Sequence, residues 1–595
     1  MKDARLRQQQ AQSMVNHPVL RMSNPARTLP ARARLMRALF TLLLPMLALT
    51  GCRSGQSGHA PGLAGQQPQD PGTFTFPLAY IKRPPVTADI DVRDLITSTA
   101  GGDLYIREQA SAGAPEVNLT KSITQGMGDV RDLDVSPDGK KLLFSLRLPL
   151  IPNATPIDQP TWKIYQYDAV AKTITQLTND TGAYGRGHDV GAHYLPDGRI
   201  VFASTRQVAT RALLPNEGRQ QYPAQTDDRK QDIFLLHVMN ADGSNIQQIS
   251  FNTNHDFAPS VLSNGQIVFS RYESINGDQI SLYRTNPDGT GLELYYGANS
   301  HATGANAAGT NDAVIQFLNA RQRADGKLLA LVRPLQYTQP GLATQEGGDL
   351  VLIDAANFVE IHQQSIPGPL GTPGTVGLGQ ASATALGVTV DPDKPSLGGR
   401  FASAYPLFDG TNRMLVSWAP CLVPISKGSS AAAVCSASNT SGGAELLAPP
   451  AYTLWVYDFD SSTLSPLLAA EPGLVIVEPV ILQARTPAPT VAPPVALSTV
   501  AATLAAAGLG VLDIRSVYDF DGIDTVAAQT AALGHEIPNI AALADPKQAT
   551  AVQRPARFIR VEKAVEIPSA DVRKFNASAF GPLGSGMREI LAYAP

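Results

Sequence analysis

The sequence holds three cysteines in 595 residues. None stands in the C-x-x-C-H arrangement that covalent haem requires, with two thiols for the vinyl groups and a histidine for the iron. Charge is scarce as well: Asp, Glu, Lys and Arg make up 16% of the chain, and the net charge is −4. That balance gives no basic face to neutralise phosphates, so nucleic acid is set aside as a partner. No apolar run reaches the roughly 18 residues of a membrane-spanning helix. A G-x-S-x-G elbow, an H-E-x-x-H zinc pair and a G-x-x-x-x-G-K-[ST] phosphate loop are all missing. With no complete catalytic motif, the enzyme question stays open and leans towards no, and no cofactor is expected in this chain. What is plentiful is Gly (50) and Pro (46), the composition of a chain with many turns. The length exceeds one ordinary core.

Residues 1–51 read as a signal peptide. Arg32, Arg34 and Arg37 form a basic flank, followed by an apolar run from Ala38 to Thr50 that only Pro45 interrupts. The run ends in Leu49-Thr50-Gly51-Cys52, which resembles the lipobox of bacterial lipoproteins. The resemblance implies that Cys52 is lipidated (palmitate is the expected acyl group) and becomes the new N-terminus. Arg53 stands where an Asp retains many such proteins in the inner membrane, which implies the outer membrane, facing the periplasm. The other reading is a free Cys52 beside an uncleaved anchor. The long basic region also suggests translation from Met22 or nearby. Residues 52–73, rich in Gly, Gln, Ser and Pro, have the composition of a flexible tether.

Internal repetition is the strongest signal in the body of the chain. Ser136-Pro137-Asp138-Gly139, Leu195-Pro196-Asp197-Gly198, Ser263-Asn264-Gly265, Ala324-Asp325-Gly326 and Phe408-Asp409-Gly410 each separate two apolar, strand-like runs. Gly, Asn and Asp tolerate the positive φ of a tight turn, so each unit predicts a hairpin. A third strand and a fourth, ending in Gln176-Leu177-Thr178 or Gln248-Ile249-Ser250, follow several of them. This four-stranded unit resembles the TolB-type (PD40) propeller repeat.

Innermost strands are expected near 131–135, 189–194, 256–262, 316–321, 402–407 and 476–482. Second strands are expected near 76–82, 141–146, 200–205, 267–272, 328–333 and 414–418. The first second strand has no innermost strand before it, and the last innermost strand has no hairpin partner after it. Pairing the two closes the ring and hides its edges. The expectation is an all-β, six-bladed propeller over 74–484, then an Ala/Pro-rich linker over 485–509 and a small β-rich domain over 510–595. The stop at Ala592-Tyr593-Ala594-Pro595, without a closing turn or polar tail, suggests a truncated C-terminal domain.

A second likeness is more particular. Residues 256–261 and 265–273, with Pro287-Asp288-Gly289-Thr290-Gly291 and Tyr296-Gly297, resemble the propeller middle domain of the hydrazine synthase alpha subunit and its relatives. That family implies c-type haem and redox chemistry, for which this chain lacks the attachment motif. Two functional readings follow. One is a cell-envelope lipoprotein whose propeller is a scaffold or accessory subunit, binding an envelope protein or a small anionic ligand. The alternative is a fragment or subunit of a haem redox protein whose cofactors lie outside this chain.

Several residues stand out against this frame. Cys421 and Cys435 bracket a Ser/Ala/Gly-rich insertion, and an oxidising compartment favours a disulfide between them; two unpaired thiols are the other reading. His188-Asp189 and His255-Asp256 occupy equivalent places where innermost strands begin, at one expected mouth of the central channel. Second strands return to that face carrying Arg147, Arg206, Arg271 and Arg333, with Lys82 and Arg83 in the first blade. These groups either pair across neighbouring blades to hold the ring or form an anion, peptide or metal site, with His193 and His301 as outliers. Two histidines are too few for a zinc site, which takes three or four ligands, so no metal site is assigned. Asp519, Asp521 and Asp524 form a D-x-D-G-x-D run that reads as a turn or as a calcium loop lacking its terminal Glu.

Overall fold

The computed structural model describes residues 75–492 apart from 182–184, 210–223, 227–230, 275–276, 339–341, 343–345, 366–377, 427–428, 430 and 442–446. Beyond these it describes 503–504, 506–507, 559–564, 567–568 and 588–594. The signal region, Cys52, the tether, and Asp519, Asp521 and Asp524 lie outside the described residues. No helix among the described residues is long and apolar enough to cross a membrane.

Five of the hairpins expected from Asp-Gly or Asn-Gly turns form, and their chemistry repeats. The turn acid or amide accepts the N–H two residues on: Asp138 from Lys140 at 3.1 Å, Asp197 from Arg199 at 3.0 Å, Asn264 from Gln266 at 3.0 Å, Asp325 from Lys327 at 3.1 Å and Asp409 from Thr411 at 3.0 Å. The glycine after it takes φ between 72° and 86° in all five, a conformation that a Cβ would strain.

Each hairpin supplies the two inner strands of a four-stranded antiparallel blade, and there are six blades. Blade two runs Asp129–Val135, Lys141–Arg147, Lys163–Asp168 and Thr173–Gln176 from the axis outwards. Blade three begins with Asp189–Tyr194 and Ile200–Ser204, and blade four with Asp256–Val261 and Ile267–Glu273. Blade five begins with Gln316–Gln322 and Leu328–Arg333, and blade six with Arg400–Pro406 and Arg413–Ala419. Blade one is composite. Its innermost strand, Val475–Ile481, comes from the far end of the ring and pairs antiparallel with Leu78–Arg83, in the register Leu78↔Ile481 and Arg83↔Val475. The closure read from the sequence is therefore present.

Apolar faces of adjacent blades form the core. One cluster joins Tyr80, Val130, Phe144, Leu415, Leu454 and Val477 across blades six, one and two. Another joins Val201, Phe234, Phe269, Leu331, Phe401 and Val416 across blades three to six. Beyond the ring, Ile559–Ala564 pairs antiparallel with Arg588–Ala594. Ile567–Pro568 pairs with Ala224–Gln225, an element between the second and third strands of blade three.

All six innermost strands break register once, each carrying one residue more than its partner there, and in all but blade six the break follows the second residue pair from the turn end. In five of them a residue at the bulge has positive φ: Asp132, Gly191, Ala258, Asn319 and Glu478. Bulges bend a strand and free its backbone N–H groups from the ladder. Here the freed groups are taken up from the neighbouring blade. Glu478 Oε2 accepts from the N–H of Asp132 at 2.6 Å and of Leu133 at 3.2 Å, and Asp132 Oδ2 accepts from Gly191 N at 3.0 Å. Ser403 Oγ accepts from Glu478 N at 2.9 Å. This chain of contacts crosses the closure joint, from blade six through one and two to three.

Candidate functional site

The innermost strands begin at one end of the channel and finish, at the Asp-Gly turns, at the other. The sequence pointed to the first end, and the structure closes it. Residues 84–99, between the second and third strands of blade one, run across that end. Val92 N–H donates to Leu335 O of blade five, and Leu95 N–H to Gln231 Oε1 of blade three. Ile96 O accepts from Arg147 Nη1 at 2.9 Å and from Trp162 Nε1 at 2.9 Å, both of blade two. Arg93 pairs with Asp278 of blade four at 3.1 Å. Val92, Leu95 and Ile96 also pack on the core.

Beneath this cover the candidate residues are spent on structure. Asp189 receives Arg206 on both oxygens, at 2.8 and 2.7 Å, and Asp256 receives Arg271 in the same way, at 2.7 and 2.8 Å. Both pairs are buried and each lies within one blade, not across neighbours as the ring-holding reading had it. The histidines make the inter-blade bond instead. His188 Nδ1 accepts from Trp162 N and His255 Nδ1 from Phe234 N, each at the third strand of the preceding blade. Burial, with Arg147 and Lys163 beyond it, pushes His188 down to about 3, so it stays neutral and keeps its acceptor nitrogen. Arg147 donates to carbonyl oxygens of Pro160 and Ile96. Lys82 pairs with Glu116 and Glu471, and Arg83 with Glu346. His301 is buried between Ser281 and Ile315 O. Cys421 and Cys435 are joined as a disulfide, with Cα atoms 5.3 Å apart. No group of three or more His, Cys, Asp or Glu able to hold a metal occurs among the described residues.

The turn end is open, with a cavity of about 890 Å³. Its floor is Asp134, just past the bulge in blade two. Asp134 Oδ1 faces His193 Nδ1 at 3.2 Å, Arg321 Nη1 at 3.3 Å and Arg485 Nη2 at 3.9 Å, and Oδ2 accepts from Tyr194 N at 3.2 Å. Burial alone would raise this carboxyl, but His193, Arg485 and Arg321 outweigh it and hold it well below the usual carboxylate range. The carboxylate is hidden, at 2% exposure, whereas Arg321 and Arg485 are 22% and 23% exposed. Arg323, Arg413 and Asp325 also line the cavity, with Asp325 paired to Arg323, so cations outnumber carboxylates around it. Tyr405, Phe408 and Pro196 supply apolar wall, and Arg321 lies 5.5 Å from the Tyr405 ring.

Arg485 arrives on the segment that the sequence marked as a linker. Its N–H donates to Pro137 O at 2.8 Å. A Cβ on Gly265, in the turn of blade four, would lie 2.1 Å from Pro489 O. The segment thus follows the rim from blade two to blade four and leaves the cavity beside it. His193, an outlier in the sequence, belongs to this site. Asp134, Arg321 and Arg485 carried no sequence signal beyond their charge, although Asp134 and Arg321 occupy equivalent innermost-strand positions just after the bulge.

No protein-family model matches the chain, and neither does any curated protein. Among solved structures it is similar to hydrazine synthase of Kuenenia stuttgartiensis, with 13% identity and a TM-score of 0.45 over 70% of this chain and 48% of that one. It is also similar to TolB from Acinetobacter baumannii, with 16% identity and a TM-score of 0.23 over 44% of this chain and 61% of that one. A puromycin hydrolase matches with 14% identity and a TM-score of 0.32 over 65% of this chain and 54% of that one. The chain thus spans about half the length of the hydrazine synthase chain it matches. The chain is a six-bladed β-propeller.

Proposed function

We propose that this chain is an exported lipoprotein, anchored in the outer membrane through Cys52, whose propeller serves the cell envelope as a binding scaffold. Its ligand is a protein segment or small molecule that presents an anionic group to the turn-end mouth. The observation that carries this reading is the 890 Å³ cavity, lined by Arg321, Arg323, Arg413 and Arg485 against two carboxylates, Asp134 buried on the floor and Asp325 paired with Arg323. The volume lies in the upper part of the usual range for ligand pockets. Exposed guanidiniums suit carboxylate or phosphate by fork geometry.

Two measurements test it. A photo-crosslinking residue at Phe408, on the rim, is expected to give discrete adducts in intact cells, and these should vanish in the Arg321→Ser, Arg485→Ser double variant. Adducts that persist without both arginines, or none at Phe408, overturn the binding role. Labelled palmitate is expected on the wild-type chain and not on Cys52→Ser; equal labelling overturns the anchor.

A further inference from the structure

A second charged cluster lies at the covered end, where blades five and six meet, away from the turn-end mouth. Arg333, the last residue of the second strand of blade five, and Arg400, the first of the innermost strand of blade six, are 3% and 5% exposed. Both guanidiniums lie against one ring, that of Tyr337, at 4.8 and 3.8 Å from its centroid. Neither has a carboxylate within ion-pair distance among the described residues. The acid nearby, Glu346, is engaged by Arg83 at 2.8 Å. What the two arginines have is meagre: Arg333 Nε donates to Pro334 O at 3.3 Å, and Arg400 Nη2 to Lys394 O at 3.5 Å. Arg333 Nη2 and Arg400 Nη1 are buried with no hydrogen-bond partner among the described residues.

Two like charges out of water, sharing a ring and lacking a counter-charge, are costly. An arginine does not escape by losing its proton, and a ring face compensates only a part of what desolvation removes. Burial, together with the positive charge of Arg400, disfavours the protonated form of Arg333, which restates the same deficit. The contrast with Arg206 and Arg271 is direct: each of those equally buried arginines has a two-pronged carboxylate. Beside Arg400 lies a small half-open cleft of about 20 Å³, bounded also by Ser396, Gly399, Cys421 and Tyr452; Arg333 does not line it but shares the Tyr337 ring with Arg400. The cleft has the room one water-sized particle takes, too little for a carboxylate or phosphate.

We propose that this space is a binding site for a monatomic anion of the chloride class, held by Arg400 with Arg333 as the second positive charge, which fastens blade five to blade six. The site is independent of the mouth and of any ligand bound there. Its test uses the mature chain, freed of halide in sodium gluconate and titrated with sodium chloride at constant ionic strength. The wild type is expected to show a saturable rise in Tm of about 3 °C, matched by bromide. Arg400→Gln and Arg333→Gln are expected to lose the rise, while Arg323→Gln, at the opposite end, keeps it. A rise that does not saturate, or that survives both substitutions, overturns the site. If the variants do not fold, chloride-35 NMR of the wild type decides. Excess line width that bromide displaces supports the proposal, and its absence overturns it.

Discussion

Aspartate, arginine and histidine stand together at both ends of this channel, and the two ends use them differently. At the covered end Asp189 and Asp256 each take one arginine in a two-pronged pair out of water, and Lys163, itself paired with Asp180, stands 3.6 Å from Asp189. At the turn end Asp134 faces two arginines and a histidine, and the arginines keep a fifth of their surface in solvent. Residue type alone does not separate these arrangements. The ratio of cations to carboxylates does, and so does whether a chain segment lies across the opening. A neutral, buried pair can only hold strands in place, whereas a cationic, open floor can still receive something.

The largest effect should come from the element on which both ends depend. Removing residues 475–481 takes away the innermost strand of blade one together with Glu478, and leaves Leu78–Arg83 as an exposed edge. We expect no soluble monomer; a soluble chain with an unchanged melting transition would break the closure. Next come the pairs themselves. Arg206→Ala or Arg271→Ala strands a buried carboxylate and should cost about 3–5 kcal/mol. Arg321→Ala, part-exposed at the other end, should cost about 1 kcal/mol or less. Urea unfolding measures both, and equal losses would erase the distinction between the ends.

The mid-channel carboxylate adds a pH signature. Burial and then the like charge of Asp132 lift Glu478 from 4.5 to about 7, although Arg83 and two N–H groups oppose this. A carboxyl raised in the folded chain stays protonated where the unfolded chain has released its proton. Stability is therefore highest below the ordinary range and falls as pH climbs from about 4.5 towards 7. Glu478→Gln should flatten that slope; an unaltered slope would transfer the effect to Asp349, which burial also lifts to about 7. The smallest effect sharpens the cover. Trp162→Phe removes the indole N–H that holds Ile96 O and should cost about 1 kcal/mol. Hydrogen exchange should then quicken over 91–99 and stay unchanged at the turn-end rim.

Most of the architecture was legible because its signals are local. An Asp or Asn that accepts the N–H two residues on, followed by a glycine at positive φ, announces a hairpin in four residues, and the repetition of that unit announces a ring. Strand limits near 200–205 and 328–333 were readable because burial on both faces leaves nearly continuous apolar runs. His188-Asp189 and Arg206 were also conspicuous, but a repeated dipeptide marks a repeated position and not its use.

Which end is open, and which charges face it, the tertiary structure decided. Residues 84–99 have no pattern that says they cross four blades, because their hydrogen bonds go to groups far along the chain, such as Leu335 O and Gln231. Asp134 gains its surroundings from Arg321 and Arg485, brought together only when six strands converge on an axis and a bulge turns each one. Local backbone chemistry is written in neighbouring residues and so can be read from them. Electrostatic balance and solvent access are sums over the whole fold, and the sequence by itself carries only their terms.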